Sequence, residues 1–313
     1  MTRSFFKFVP FERIDILENG LIRFSPVKDL NDPFEALPSI TYFTDKKWEV
    51  LYKIIDKVCN RRKKHLTQDE EVFILSNFPN LDSLSFSKED DAFSTERFYK
   101  LHKYKCKLRR HISQYGILSL ISSDDVSPNI SQFIGYPNDP RRNLLMWSHY
   151  TNSHKGFVIE FDEDFIENKP QKVTYTNERP ILTFEEIDNF KLSAYLIKSK
   201  EWEYENEYRS FGKLSNADNA ELSLFKFDKT KIKSVTLGCN MSKENRDKIV
   251  SLLQNTPEYK NVSIFFAKQR EDKFSLEFFL QEGSSTNFLP YEHQDGTEEF
   301  RSLIRTINIQ NRP

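Results

Sequence analysis

The spacing of hydrophobic and polar residues predicts strands near both ends of the chain and helices between them. Close to the N-terminus, residues 5–9 and 21–25 are short apolar runs typical of strands. Residues 11–18, between these runs, have helical spacing and are followed by Gly20, which suits a helix C-cap. The chain therefore opens with a predicted strand–helix–strand unit.

The pattern changes to a helical period between residues 44 and 115. Thr67 and Glu70 form a capping box in front of an apolar run, which predicts the start of one helix. Residues 93–115 predict a second, longer helix. Basic runs at residues 61–64 and 103–111 could steer an RNA or DNA backbone, and a solvated helix face is the alternative interpretation. We interpret about 44–115 as a helical insertion.

Strand patterns return from residue 116 onward. The runs with strand character are residues 116–122, 155–161, 173–176, 232–238 and 262–267. Ser242 suits the N-cap of a helix that reaches Leu253, so residues 232–267 predict a strand–helix–strand unit. The polar, proline-containing residues 123–142 predict a long loop.

These elements together predict an α+β fold. A second capping box, Thr183 with Glu186, predicts a helix that runs to Ser199. Residues after Gly283 are rich in Ser, Gly, Asn and Pro and lack a clear period. We therefore expect a single α+β catalytic-type domain over residues 1–282 and a C-terminal tail over residues 283–313.

Composition narrows the class of protein. The chain has 313 residues, of which 38% are hydrophobic and 30% charged, as in folded domains, and its net charge is −1. No run approaches the ~18 apolar residues of a membrane span, and no signal-peptide core is present, so we expect a cytoplasmic protein without a membrane partner. The 3 cysteines show no metal-ligand spacing, and the 8 glycines form no P-loop or Rossmann fingerprint.

An early turn is the first candidate for chemistry. Ser25 ends a predicted strand. Asn31 and Asp32 come later in the chain, immediately before Pro33. Strand ends that meet a turn commonly carry ligand-binding side chains. Turn formation alone is the alternative role of these residues.

A second candidate lies in the middle of the chain. Trp147, His149 and Tyr150 cluster at a predicted short turn before a strand. His149 and His154 are five residues apart, which is not a metal-ligand spacing on a helix or a strand. These side chains could donate hydrogen bonds to a ribose, a pyrophosphate or an amide, and a structural role for each histidine is the alternative.

Residues 201–209 carry the most informative pattern. Read as a strand, four glutamates and Arg209 line one face, and Trp202, Tyr204 and Tyr208 line the other. Four like charges on one face repel each other unless the face meets water or a ligand. Such a carboxylate row could stabilise positive charge or accept hydrogen bonds from sugar hydroxyls. A solvated edge strand or helix is the alternative.

Five segments in this order resemble the motifs of a widespread bacterial family catalogued as a domain of unknown function. The segments are residues 21–25, residues 31–35 (Asn-Asp-Pro-Phe-Glu), residues 116–120, residues 146–157 (beginning Met-Trp-Ser-His-Tyr) and residues 200–209. The resemblance covers residues 5–280. That family is in turn distantly similar to the ADP-ribosyltransferase superfamily, which includes bacterial toxins that modify nucleic acid.

The resemblance implies an ADP-ribosyltransferase-like mixed β core with NAD as a substrate. Carried over to this chain, Glu207 is the first choice for the glutamate that bonds the nicotinamide ribose and stabilises its oxocarbenium-like state, and Glu205 is the second. Strand parity places both on one face, so the sequence does not separate them. Arg209 would orient the pair or hold a phosphate. Lys7 would lie near the cofactor, where the superfamily often has Arg or His.

The expected function is transfer of ADP-ribose from NAD to a macromolecule, either a nucleic acid such as RNA or a protein. The resemblance also implies a toxin of a toxin–antitoxin or anti-phage system, with an antitoxin protein as partner. No metal is expected at the site. One alternative is a non-catalytic binding or sensor protein. Another is a nuclease in which Glu205, Glu207 and Asp32 hold Mg²⁺.

Overall fold

The computed structural model divides the chain into two compact units. It describes residues 3–32, 34, 38–40, 50–51, 53–54, 66–77, 95–122, 139–182, 187, 192–282 and 285–289. The first unit comprises Met1–Pro26, Gly116–Val173 and Glu201–Pro313, and the second comprises Val27–Tyr115 and Thr174–Lys200.

The described residues form a mixed α/β protein with a multi-strand mixed sheet. The helices are α1 Asp15–Asn19, α2 Gln68–Asn77, α3 Thr95–Ile112, α4 Leu144–Tyr150 and α5 Lys243–Asn255. The strands are β1 Ser4–Val9, β2 Leu21–Arg23, β3 Ser25–Pro26, β4 Ser39–Ile40, β5 Tyr115–Ile121, β6 Phe157–Asp162, β7 Gln171–Lys172, β8 Thr174–Thr176, β9 Ile181–Leu182, β10 Ile197–Ser199, β11 Glu207–Lys213, β12 Leu224–Lys226, β13 Ile232–Leu237, β14 Ser263–Gln269, β15 Leu276–Glu282 and β16 Ser285–Leu289. In the part of the chain described, no helix combines the length and apolar character that crossing a bilayer requires.

A ten-stranded sheet forms the centre of the first unit. Its strand order is β16-β15-β14-β13-β6-β1-β5-β11-β7, and β3 pairs with β5 outside this path. Strand β6 is antiparallel to both β1 and β13, whereas β13 and β14 are parallel and are joined through α5. This joining confirms the predicted strand–helix–strand unit, because parallel neighbours need a crossover connection.

Strand β1 carries hydrophobic side chains on both sides. Phe5 and Val9 belong to one hydrophobic cluster, and Phe6 and Phe8 belong to another. This division follows from the two-residue period of a strand. Burying each phenylalanine contributes about 1.5–3 kcal/mol, so the phenylalanine-rich sequence supplies much of the stability of this unit.

The second unit contains short parallel strand pairs and the helices of the predicted insertion. Strand β4 pairs with β9, and β8 pairs with β10. The capping box that precedes α2 is confirmed, because the backbone N–H of Thr67 donates to Glu70 Oε2 at 2.8 Å and the Glu70 N–H donates to Thr67 Oγ1 at 3.4 Å. The long helix predicted at residues 93–115 corresponds to α3.

Several other predicted elements occur close to their expected positions. The predicted strands at residues 5–9, 116–122, 155–161, 232–238 and 262–267 correspond to β1, β5, β6, β13 and β14. Gly20 caps α1 with a left-handed φ of 67°. Ser242 caps α5 by accepting a hydrogen bond from the Asn245 N–H at 3.2 Å.

Three local predictions are wrong. Residues 200–205 form a 3-10 helix rather than a strand, because Asn206 adopts a left-handed φ of 42° and β11 begins only after it. The Trp147–Tyr150 segment is part of helix α4, since Asn143 caps it, rather than a short turn. The predicted helix ending at Ser199 is replaced there by a 3-10 turn and strand β10.

Some predicted features fall outside the described residues. These are residues 44–49, residues 55–65 with their basic run, Pro33 and Glu35 of the early turn, residues 123–138 of the long loop, the capping box at Thr183 and Glu186, and residues 290–313 of the tail. Strand β16 lies within the segment that was expected to be a tail, and it pairs antiparallel with β15.

Candidate functional site

A buried ion pair lies at the start of β11. Glu207 is 2% exposed and Arg209 is 0% exposed. Arg209 Nε donates to Glu207 Oε1 at 2.9 Å, and Nη2 donates to Oε2 at 2.9 Å. Because residues two apart on a strand share a face, the pairing follows directly from the sequence spacing. The bidentate geometry fixes the orientation of the carboxylate.

Glu205 reaches the same region by a different backbone path. It ends the 3-10 helix Lys200–Glu205, is 3% exposed, and precedes the left-handed Asn206. Asparagine is one of the few residues other than glycine that adopt this conformation at low cost. The Asn206 side chain donates from Nδ2 to the carbonyl of Ser122 at 2.5 Å, which ties the turn to the end of β5.

Helix α4 supplies a hydroxyl to Glu205. The Tyr150 hydroxyl donates to Glu205 Oε1 at 2.5 Å. Burial, and then the charge of Glu205, raise the pKa of Tyr150 well above its usual value. The hydroxyl therefore keeps its proton at physiological pH and acts as a donor to the carboxylate.

Asn143 connects α4 to the segment that carries Glu205. Its side-chain oxygen accepts hydrogen bonds from the N–H groups of Leu145 and Met146, which caps the helix. Its Nδ2 donates to the carbonyl of Tyr204 at 2.7 Å. One asparagine thus begins the helix and fixes its position against residues 200–205.

His149 and Trp147 have different environments on α4. His149 is exposed, and its Nδ1 lies 3.1 Å from the Tyr204 hydroxyl. Trp147 is fully buried; its Nε1 donates to the Arg141 carbonyl at 2.5 Å, and its ring packs edge-on against Phe8. The histidine is therefore accessible to a ligand, whereas the tryptophan holds the helix in the core.

Lys7, on β1, interacts electrostatically with both glutamates. Its Nζ donates to the carbonyl of Ser119 on β5 at 2.7 Å. Burial lowers the pKa of Lys7 to about 8, and the negative charges of Glu207 and Glu205 oppose that shift. Electrostatic interaction with both carboxylates places the lysine in the same cluster.

These contacts define the Glu205–Glu207 cluster, which consists of Lys7, Tyr150, Glu205, Glu207 and Arg209. All of its members were predicted as site residues. Their polar groups come from three parts of the sequence; Glu205, Glu207 and Arg209 are buried, and Lys7 and Tyr150 are half-buried. Carboxylates held in this way can stabilise a cation or bind sugar hydroxyls.

The early turn divides between the two units. Ser25 lies on β3 of the first unit and pairs with Ile117 of β5. Asn31 and Asp32 belong to the second unit, where Asn31 is exposed and Asp32 is buried. Asp32 Oδ1 accepts the N–H of Phe34 at 2.8 Å, so this carboxylate contributes to the turn itself.

A second buried ionic network, around Arg141, was not predicted from the sequence. Arg141 Nη2 donates to Asp139 at 2.7 Å, and its Nη1 lies 3.5 Å from Glu160 Oε2. Ser234 Oγ donates to the same Glu160 oxygen at 2.6 Å. A glutamate inside the apolar strand β6 was the signal that could have revealed it, since a buried charge requires a partner. Through the Arg141 carbonyl, this network also holds Trp147 and therefore α4.

In the described ranges, no three His, Cys, Asp or Glu side chains are grouped so that they could hold a metal ion.

Comparison with known proteins gives a family match: residues 146–210 match a family described as "Protein of unknown function (DUF2971)". The match runs from α4 to β11 and so contains Tyr150, Glu205, Glu207 and Arg209. It fits the resemblance to a family of unknown function. No curated protein and no solved structure matches the chain.

Proposed function

We propose that the chain is an NAD-dependent ADP-ribosyltransferase, with an ADP-ribosyltransferase-like core, that modifies a macromolecule. The observation that supports the proposal is the Glu205–Glu207 cluster. In it the buried carboxylates of Glu205, at the end of the 3-10 helix, and of Glu207, at the start of β11, interact with a tyrosine from α4 and, electrostatically, with a lysine from β1. The acceptor is a nucleic acid or a protein, and NAD is consumed as a substrate.

The reaction requires stabilisation of positive charge. As the bond between nicotinamide nitrogen and ribose C1′ breaks, positive charge develops on C1′ and the ring oxygen, and nicotinamide leaves with the bonding electrons. A carboxylate about 5 Å from this charge, at an effective dielectric constant of about 20, contributes about 3 kcal/mol. That corresponds to roughly a 10²-fold rate increase. An acceptor nucleophile then forms the new bond to C1′ and loses its proton.

We assign different roles to the two glutamates. Glu207 is held by Arg209 in a bidentate pair, which fixes the direction of both carboxylate oxygens. In this proposal Glu207 is the carboxylate that faces the developing cation. Glu205, which accepts a hydrogen bond from Tyr150, supplies the second negative charge and in this proposal receives the proton of the acceptor. His149, which is exposed on α4 beside Tyr204, is the further side chain that we assign to binding NAD.

The test compares Glu207→Gln and Glu205→Gln with Glu203→Gln, an exposed control two residues earlier. Each variant is incubated with NAD labelled in its adenylate portion and with bacterial lysate, and label in protein, RNA and DNA is measured. We expect each buried change to reduce labelling by about 10²-fold or more, because the lost charge faced the cation. The control keeps wild-type labelling.

Stability has to be measured on the same variants. Glu207→Gln leaves the buried Arg209 charge without its carboxylate, which costs about 3 kcal/mol or more. Glu205→Gln keeps an oxygen that can accept from Tyr150, so it should lower the free energy of unfolding less. Wild-type labelling by a folded Glu207→Gln protein would reject the assignment, as would metal-dependent nucleic acid cleavage without NAD.

Together with the resemblance to bacterial toxins, the proposed activity leads us to propose that the chain is a toxin controlled by an antitoxin protein. Induced expression of the wild-type chain should then arrest growth of a bacterial host, and the Glu207→Gln variant should not. Capture of a basic partner without any labelling would instead support the non-catalytic binding alternative.

A further inference from the structure

The C-terminal half of α3 has a strong positive charge. Residues 103–112 contain five lysines and arginines and no aspartate or glutamate, a formal charge of +5 with histidine neutral. The whole chain has a net charge of −1, so all other residues together carry −6. The C-terminal half of α3 therefore carries a dense positive charge in a chain whose net charge is slightly negative.

The structure orients these cations toward solvent. Leu108 and Ile112 are buried and define the inner side of α3. The exposed cations, which we call the α3 basic face, are Lys103, Lys105, Lys107, Arg109 and Arg110. Half-buried Tyr104 and His111 lie at the border between the two sides, and Lys107 Nζ lies 6.0 Å from the centre of the Tyr104 ring.

The fold itself does not account for this charge. Cations in the last turn of a helix interact favourably with the helix dipole, which explains Arg109 and Arg110. Lys103 and Lys105 lie before that turn, and like charges four residues apart, such as Lys105 and Arg109, repel each other. Among the described residues, Lys103, Lys105, Arg109 and Arg110 have no carboxylate within ion-pair distance.

The dimensions of the face suit a nucleic acid backbone. Lys103 and Arg110 are separated by a helical rise of about 10 Å, which equals the rise of about three nucleotides in one strand of a duplex. Aromatic rings beside a cationic track provide surfaces on which unpaired bases can stack. Tyr104 and His111 occupy such positions on α3.

We propose that the α3 basic face binds the phosphodiester backbone of a nucleic acid. As a statement about the acceptor, this inference rests on the proposed transferase function and makes nucleic acid the class of macromolecule that is modified. As a statement about binding, it needs neither NAD nor the Glu205–Glu207 cluster. The two proposals can therefore fail separately.

The experiment measures binding of the full chain to fluorescent 20-nucleotide RNA and DNA of the same sequence, without NAD, from 50 to 200 mM KCl. The logarithm of the affinity should fall linearly with the logarithm of the salt concentration, by about 0.7 for each phosphate neutralised on a single strand. In a second variant, Lys103, Lys105, Arg109 and Arg110 are all changed to Gln. The magnitude of its slope should be smaller than that of wild type by about 3, and its affinity at 100 mM KCl should be lower on the order of 10²-fold.

The matched control changes four exposed lysines of the first unit, Lys155, Lys169, Lys243 and Lys260, to Gln. It alters the net charge by the same amount and should retain nearly all of the affinity and slope. Circular dichroism establishes that both variants are folded. On the wild-type chain, bound oligonucleotide should also protect Lys103 and Lys105 from an amine-reactive reagent, a measurement that does not depend on folding of a variant.

Equal losses in the two quadruple variants would overturn the proposal, because binding would then reflect net charge alone. Absence of binding to both oligonucleotides, or unchanged reactivity of Lys103 and Lys105, would overturn it as well. Tighter binding of one oligonucleotide identifies RNA or DNA as the ligand and supports the proposal.

Discussion

Replacing Lys7 with methionine should stabilise the protein at neutral pH. Methionine has a similar length and no charge, so Lys7→Met removes the cost of holding an ammonium group away from water. Burial is the largest cause of the lowered pKa of Lys7, and the carboxylates of Glu205 and Glu207 offset it only in part. A lysine that lowers the stability of the folded protein is explained by a role in the site rather than in folding.

The magnitude and its pH dependence follow from the pKa. The pKa of Lys7 falls from 10.5 to about 8 on folding. At about 1.4 kcal/mol per unit, the charged lysine destabilises the folded state by about 3 kcal/mol below pH 8. Above pH 8 the folded protein binds fewer protons than the unfolded chain, so wild-type stability rises with pH until the unfolded lysine also titrates, near pH 10.5.

Methionine also loses a hydrogen bond. The carbonyl of Ser119 no longer has its donor at 2.7 Å, which costs about 1–2 kcal/mol. The net gain of Lys7→Met at pH 7 is therefore about 1–2 kcal/mol. Between pH 8 and pH 9.5 the advantage should shrink by about 2 kcal/mol, at about 1.4 kcal/mol per pH unit.

Urea denaturation followed by circular dichroism, at pH 7 and at pH 9.5, measures both quantities. Lys155→Met, at an exposed lysine, is the matched control for loss of a charge. The reasoning is refuted if the stability difference between Lys7→Met and wild type is the same at both pH values. In the NAD labelling assay, Lys7→Met should transfer less label than the wild-type chain, although it is the more stable protein.

Two further substitutions test one hydrogen bond of the site and one close backbone contact after the end of β13. Tyr150→Phe removes the donor to Glu205 and should lower the free energy of unfolding by about 1.5–3 kcal/mol, measured in urea, because the lost bond was made to a carboxylate. Gly238→Ala should cost about 2 kcal/mol or more, since a Cβ there would lie 2.2 Å from the His154 carbonyl oxygen and 2.8 Å from that of Gly156. An unfolding midpoint equal to that of wild type would contradict either expectation.

Much of the fold could be predicted because its strands have a simple pattern. Five strands of the large sheet are apolar on one or both sides, so their ends could be predicted from the sequence. They are β1, β5, β6, β13 and β14. The helix caps at Thr67, Gly20 and Ser242 could also be predicted, since each depends only on residue types within a few positions of the helix end.

The path of the chain into Glu205 could not be predicted from alternation. A strand over residues 201–209 satisfied the pattern, but the left-handed Asn206 ends a 3-10 helix and changes the side-chain directions before it. What favours this conformation is a long-range contact, the hydrogen bond from Asn206 Nδ2 to the Ser122 carbonyl. Local periodicity does not contain contacts between residues 84 positions apart.

The candidate site was partly predictable for the same reasons. The pairing of Glu207 with Arg209 is local, whereas the approach of Lys7 and Tyr150 depends on how the sheet and α4 assemble. Asn143 was not selected as a site residue, although an asparagine before an apolar run is a recognisable N-cap. Its second role, the hydrogen bond to the Tyr204 carbonyl, exists only in the folded protein.

The central claim is that this chain breaks the bond between nicotinamide and ribose in NAD. Release of nicotinamide from NAD labelled in that ring measures the step directly and does not require knowledge of the acceptor, provided that bacterial lysate supplies one. We predict release with the wild-type chain and at least about a 10²-fold slower release with a folded Glu207→Gln variant. Equal release in the presence and absence of the wild-type chain would contradict the account.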